Sequence, residues 1–291
     1  MQNNIHTRCM LVSFTESSFG NTKQDKLGTE AARAGTQAQE GRMKATKYVL
    51  PPSELEPLSK HVREWREWHK ARTLPWLDSG LRVITTTTWT DYVDTEREQW
   101  RPKYETLKAS FLGRYSVIRD EQAEQLGKSF NPRDYPSLEQ METRFAVKVD
   151  FQPLPKAEDF RCDLESDTLT ELRETYERQL NEGVDRAKAE IAGRLIAPLE
   201  KMVARLAIPH GQKGGRFQDT LVSNVAEAVA ILPSLEFVEI PGLNALRERL
   251  DVLSRVDPED LRNIPTVRTQ THREALEAME RVKACFPGLA A

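Results

Sequence analysis

Residues 169–206 read LTELRETYERQLNEGVDRAKAEIAGRLIAPLEKMVARL. Leu169, Leu172, Tyr176, Leu180, Val184, Ala187, Ile191, Leu195, Leu199, Met202 and Leu206 recur in steps of three and four. That spacing is one apolar face of a helix. The same period runs through residues 89–126, WTDYVDTEREQWRPKYETLKASFLGRYSVIRDEQAEQL. There Trp89, Val93, Trp100, Tyr104, Leu107, Phe111, Tyr115, Ile118 and Leu126 form a stripe interrupted by Glu96 and Gln122. Both stripes average about 3.7 residues per step, slower than the roughly 3.5 of a left-handed coiled coil. Each helix would be roughly 55–60 Å long. Two rods of equal length joined by a short insert predict a long antiparallel helical hairpin. In that arrangement Phe111 and Tyr115 face Val184 and Ala187. Pro102 and Pro198 remove backbone donors, so each should kink or split its rod, both toward the end away from the insert.

Residues 127–165 change period. Phe145, Val147, Val149 and Phe151 alternate with Ala146, Lys148 and Asp150, and Phe160, Cys162 and Leu164 alternate with Arg161 and Asp163. Two strands of period two, joined through Pro153-Leu154-Pro155, predict a small β-hairpin at the tip of the rods. A short helix near Ser137–Thr143 precedes it. The fold class is thus mainly α: a helical hairpin, a β-hairpin insert and a C-terminal helical bundle.

The other boundaries follow from punctuation. Residues 1–45 carry little periodic apolar content, and two readings stand for them. One is a disordered arm. The other is a start-site artefact, with Met43-Lys44 as the true beginning. Residues 46–126 hold N-terminal helices and the first rod. Ser53 and Glu56 form a capping box before a helix that ends near Arg72. Thr73–Gly80 is a turn, and Leu81–Thr88 is either a short extended segment or the cap of the next helix, with Thr88 or Thr90 as N-cap. Residues 127–165 are the tip insert and 166–208 the second rod. Residues 209–291 form a small bundle, with helices over 216–232, 242–254 and 266–286 and a short turn over 258–263, punctuated by proline. The bundle should pack on the proximal rods.

Composition narrows the class. The chain has 291 residues, 30% of them charged and 38% hydrophobic, a balance that suits an elongated helical protein better than a globular α/β enzyme. The 42 basic and 45 acidic residues are interspersed, so no basic stripe announces nucleic acid. No apolar run is long enough to span a membrane, and no signal peptide is visible. Cys9, Cys162 and Cys285 are far apart and odd in number, which argues against a disulfide framework and fits a reducing cytosol.

Site-like stretches are few. His210-Gly211-Gln212-Lys213-Gly214-Gly215-Arg216 resembles a phosphate cradle but lacks the Gly-Lys-Ser/Thr ending and a preceding strand, so it reads as a mobile connector, with weak anion or nucleic-acid contact through Lys213 and Arg216 as the alternative. His61 and His69 lie eight apart, roughly 12 Å along a helix, too far to share a metal. All the tryptophans, Trp65, Trp68, Trp76, Trp89 and Trp100, fall within residues 65–100. They are either core at the base of the hairpin or a stacking platform for single-stranded nucleic acid. No catalytic, cofactor-binding or metal-ligating set emerges. The exposed tip offers Phe145, Lys148, Asp150, Phe151, Pro153, Pro155 and Phe160 as a partner-binding surface.

Phe130, Asp134-Tyr135-Pro136, Arg144-Phe145, Phe151-x-Pro153-x-Pro155 and Asp159-Phe160-Arg161 together resemble a family of unknown function from tailed phages and integrative or conjugative elements. Thr73–Gly80 and Arg216–Leu221 are similar to that family too, so the resemblance covers roughly Lys47 to Phe286. Its members are often encoded beside a MoxR-type AAA+ ATPase and a von Willebrand A-domain protein. The resemblance therefore implies a non-enzymatic accessory of such a module, with one of those proteins as partner. A nucleic-acid-binding protein of recombination or replication and a virion component are the alternatives. Partner identity and oligomeric state stay open.

Overall fold

The computed structural model describes residues 5–77, 80–159, 166–208, 219–235, 237–238 and 240–287. The strand expected from Phe160, Cys162 and Leu164 lies outside the described residues, as does the glycine-rich loop with Lys213 and Arg216. In chain order come α1 (Ile5–Arg8), β1 (Cys9–Ser17), β2 (Thr22–Asp25), α2 (Lys26–Thr36), β3 (Ala45–Tyr48) and α3 (Pro52–Arg72). β4 (Leu74–Pro75), β5 (Arg82–Thr85), α4 (Thr86–Thr95), α5 (Arg101–Leu126), α6 (Leu138–Arg144) and β6 (Ala146–Pro153) follow. The chain then continues through α7 (Ser166–Ala207), α8 (Thr220–Ala230), α9 (Leu243–Ser254), α10 (Pro258–Asn263) and α11 (Pro265–Cys285). The fold is mainly helical, with a sheet in the order β4-β5-β1-β6 and a separate β2–β3 pair.

Two compact units divide these elements. One contains the chain up to Ser13, Lys70–Thr90 and everything from Phe151 onward; the other contains Phe14–His69 and Asp91–Asp150. In the first, α7 packs against α8 and α11. Its buried face carries Leu180, Ala187, Ile191, Leu195, Leu199 and Met202. They join Val225, Leu246, Leu250, Ala275 and Val282 in one core. Each of the Leu, Ile, Val and Met side chains among them contributes roughly 1.5–3 kcal/mol by leaving water, and the alanines less. Pro198 lies inside α7 without ending it. The helix stops where Arg268, buried on α11, donates to the carbonyls of Arg205 (2.7 Å) and Ile208 (2.9 Å). The last carbonyls of a helix lack intrahelical donors, and a guanidinium supplies them.

In the second unit α5 buries Tyr104, Phe111, Tyr115 and Ile118. They pack with Leu55, Leu58 and Trp65 of α3, Met141 of α6, and Phe145 and Val147. α6 starts at the capping box of Ser137 and Gln140, each side chain satisfying the other's backbone N–H. The expected pairing of the two long stripes is therefore corrected. Phe111 and Ile191 belong to different cores. A stripe shows that a helix face is buried, not what covers it.

Residues 5–45 do not form an unfolded arm. β1 pairs antiparallel with β5, with Cys9 opposite Thr85, Leu11 opposite Val83 and Val12 opposite Arg82. Val12 is fully buried, and Ile5, Cys9 and Leu11 are buried with it. A chain beginning at Met43 would lack this strand. Downstream, β2 and β3 pair antiparallel, with α2 between them. Lys47 on β3 makes an ion pair with Asp134 at 2.9 Å and also bonds the Ser129 carbonyl, while the Ser129 hydroxyl donates to Asp25 at 2.9 Å. The Asp25 carboxyl closes no formed cap bond to α2, yet the nearby Gly28 amide first, then the Ser129 hydroxyl, hold it below the usual carboxylate range. A Cβ at Gly28 would fall 2.8 Å from the Asp25 carboxylate, so a side chain there would push that carboxylate aside.

β6 takes its place beside β1 in the four-stranded sheet, and the second strand of the expected tip hairpin falls on residues outside those described. A two-stranded hairpin is marginal alone in water, and β1 supplies the ladder it needs. Two helix starts also shift. α3 begins at Pro52, so Ser53 is inside the helix rather than its cap, and proline suits the first helical position. α4 begins at Thr86, one residue after β5, and the Thr85 hydroxyl lies 2.9 Å from those of Thr87 and Thr88. No helix among the described residues is long and apolar enough to cross a membrane.

Candidate functional site

β6 is the element on which most of the candidate partner residues fall, and its alternation decides what each can do. Val147 is buried, Lys148 exposed, Val149 half-buried, Asp150 exposed, Phe151 half-buried, and Gln152 and Pro153 exposed. Among the described residues β6 is an edge of its sheet. The Arg101 guanidinium covers part of that strand, reaching the Val147 carbonyl at 3.4 Å.

Phe145 does not belong to the outward surface. It is 3% exposed and meets Phe111 edge to face at 5.2 Å, so it anchors β6 to α5. Phe151 leans on Trp89 at 6.0 Å. Pro155 is tied down through its carbonyl, which accepts the Tyr176 hydroxyl at 2.5 Å. Between them Leu154 is buried, and its carbonyl lies 3.2 Å from His6 Nδ1. Lys148, Asp150 and Pro153 remain as the exposed members of the set, while Phe160 lies outside the described residues.

Behind the strand, α3 and α5 build an aromatic cluster. Trp65, with no exposure at all, stacks on Trp100 at 6.5 Å and 12° and touches Tyr104 at 6.0 Å and Phe14 at 5.6 Å. The Arg101 guanidinium sits 5.5 Å from the Trp65 ring and pairs with the buried Glu96 at 2.5 Å. Such a cation is held both by the ring quadrupole and by the carboxylate. Glu96, an interruption in the sequence stripe, is thus compatible with the buried face because it arrives with its partner.

The backbone at this point explains the arrangement. Residues Glu96–Trp100 form a single π turn, with the Arg101 N–H bonded to the Glu96 carbonyl. Pro102 follows immediately. In a plain α-helix its ring would collide with the carbonyl four residues back. Widening the preceding turn relieves that collision without breaking the helix. His61 Nε2 then donates to the Trp100 carbonyl at 2.9 Å, which fixes the proton on Nε2, and Nδ1 stays buried without a partner. His69 contacts the Tyr92 hydroxyl at 2.7 Å. The two histidines are thus committed to separate polar contacts on one helix. Among the described residues no group of three or more His, Cys, Asp or Glu side chains is placed to hold a metal.

Four of the five tryptophans belong to the two cores, Trp68 and Trp100 packing beside Trp65, while half-buried Trp89 contacts Phe151. Trp65 belongs to this one, and Trp76, 3% exposed, packs in the other. Neither presents a face for a base to stack on. The residues that sequence reasoning missed are Glu16, Ser17 and Ser18, at the end of β1 in the segment read as an arm. The continuous apolar run Cys9–Val12 just before them was the available signal of a buried strand.

Compared with models of protein families, with curated proteins and with solved structures, the chain gave no match in any of the three.

Proposed function

We propose that the protein is a non-enzymatic interaction protein that engages another protein through the outward face of β6. The reading is supported above all by the alternation on that strand. Phe145 and Val147 hold it rigidly to the core, while Lys148 and Asp150 stand exposed together on the opposite face and Pro153 ends the strand exposed. A strand held this way loses little conformational entropy on binding. Opposite charges two residues apart on one face can select a partner of complementary pattern and reject others. The partner proposed is the one that the family resemblance implies, a MoxR-type AAA+ ATPase or its von Willebrand A-domain companion in a phage or mobile element.

The test uses purified components. Wild-type protein and the double variant Lys148→Asp with Asp150→Lys are titrated against the ATPase and against the A-domain protein. The expected result is binding by one of them, weakened about tenfold or more by the charge reversal with the fold unchanged by circular dichroism. Absence of binding to both, or equal binding by the variant, would overturn the reading.

A further inference from the structure

The geometry points to a binding cleft in the second unit for a small uncharged ring compound carrying one hydroxyl or carbonyl oxygen, with that oxygen hydrogen-bonded to the Tyr104 hydroxyl. The cleft lies where the end of β1, α3, α5 and β6 meet, and its volume is about 230 Å³. Its floor is apolar, made by Leu58, Phe145 and Val147, each of them buried. Its mouth carries the hydroxyls of Ser17, Ser18 and Ser59.

Three observations fix the ligand class. The first is Tyr104, which lines the cleft and is 2% exposed, and whose hydroxyl is buried without a hydrogen-bond partner. A buried hydroxyl without a protein partner is costly to leave unpaired, so a ligand oxygen that accepts from it gains a hydrogen bond which benzene cannot make. Burial first, then the neighbouring Glu105 carboxylate, push this phenol up to about 12, so it is protonated and able to donate at neutral pH. The second is charge. Glu16 is paired with Arg66 at 2.6 Å and Arg63 with Glu56 at 2.8 Å, so the ionised groups on the rim already have counter-ions and leave no call for a charged ligand. The third is size. A dry cavity of roughly 150 Å³ takes benzene, so this cleft has room for one ring with a polar substituent, or for two small fused rings.

The site is independent of the outward face of β6, since Lys148 and Asp150 do not line it. The test is a four-way comparison with phenol and benzene as probes, wild type against Tyr104→Phe, followed by amide chemical shifts in the full-length protein. In wild type, phenol shifts the amides of Ser17, Ser18, Ser59 and Val62 and binds at least fivefold more tightly than benzene. In Tyr104→Phe that advantage disappears while benzene binding is unchanged. Ser59→Trp, at an exposed helix position that needs no repacking, blocks both probes and serves if the phenylalanine variant does not fold. Shifts with neither probe would mean that the cleft holds water only, and a phenol advantage that survives in Tyr104→Phe would show that the hydroxyl plays no part. Either result overturns the proposal.

Discussion

The indole of Trp76 lies against the backbone of Gly183. A Cβ added to that glycine would fall 2.7 Å from the indole Cε2, closer than such atoms approach. Glycine in a helix interior is otherwise a cost, so its presence in the middle of α7 is explained by the ring it admits.

Gly183→Ala should therefore destabilise the protein, because overpacking of about 1–3 kcal/mol outweighs the gain in helix propensity of at most about 1 kcal/mol. Gly193, on the same helix, has nothing within 4 Å of its would-be Cβ. Gly193→Ala should stabilise by roughly 0.5–1 kcal/mol. Chemical denaturation of the two variants checks the pair. Equal effects would show that Trp76 does not sit where the structure has it.

The N-terminal segment should be required for folding. Val12→Asp buries a charge at a fully buried position and should cost at least about 3 kcal/mol. Deletion through Arg42 should lower Tm by about 10 °C or more. Cys9 offers a chemical readout of the same claim. Burial pushes its thiol up to about 12, so it should resist alkylation at neutral pH until the chain unfolds. A deletion with wild-type Tm, or rapid alkylation of native Cys9, would return these residues to the status of a dispensable arm.

Alkaline pH should weaken the fold. Tyr104, Tyr135 and Tyr176 are pushed up to about 12, in each case chiefly by burial. The folded chain keeps these protons longer than the unfolded one, whose phenols titrate near about 10. Their contribution is fully present below about pH 10 and is lost as pH rises through about 12. Phenolate absorbance of the native protein should show a late phase near the upper value, merging with unfolding. Complete titration of all tyrosines near their ordinary value, with the fold intact, would contradict the burial described.

The reach of the sequence differs from one element to the next. The stripes on α5 and α7 were legible because a period near that of the helix leaves a face that water must not touch. The short helix after Pro136 and the prolines around α9, α10 and α11 were legible because such signals act within a few residues, whereas the capping box expected at Ser53 was not formed and the one at Ser137 went unread. What Phe111 and Ile191 pack against was not, since periodicity carries no information about the covering element. β1 was hidden for a different reason. Its apolar run is short, and only contact with β5, seventy residues away in the chain, makes it a strand. The π turn at Glu96–Trp100 was foreshadowed by Pro102, although a kink and a widened turn satisfy the same missing donor. At the candidate surface, Lys148 and Asp150 followed from strand alternation, whereas the burial of Phe145 depended on Phe111. The cleft at Tyr104 needed four elements brought together and had no signature in any one of them.

Central to the account is that each long helix organises a core of its own. Native-state hydrogen exchange on Phe111→Ala and Ile191→Ala tests this most directly. Each substitution removes a buried side chain worth roughly 2–5 kcal/mol. Phe111→Ala is expected to raise exchange within Phe14–His69 and Asp91–Asp150, and Ile191→Ala within α7, α8, α9 and α11, each leaving the other set at its wild-type rates. Equal acceleration of both sets by either substitution would contradict the account and favour one shared core between the two helices.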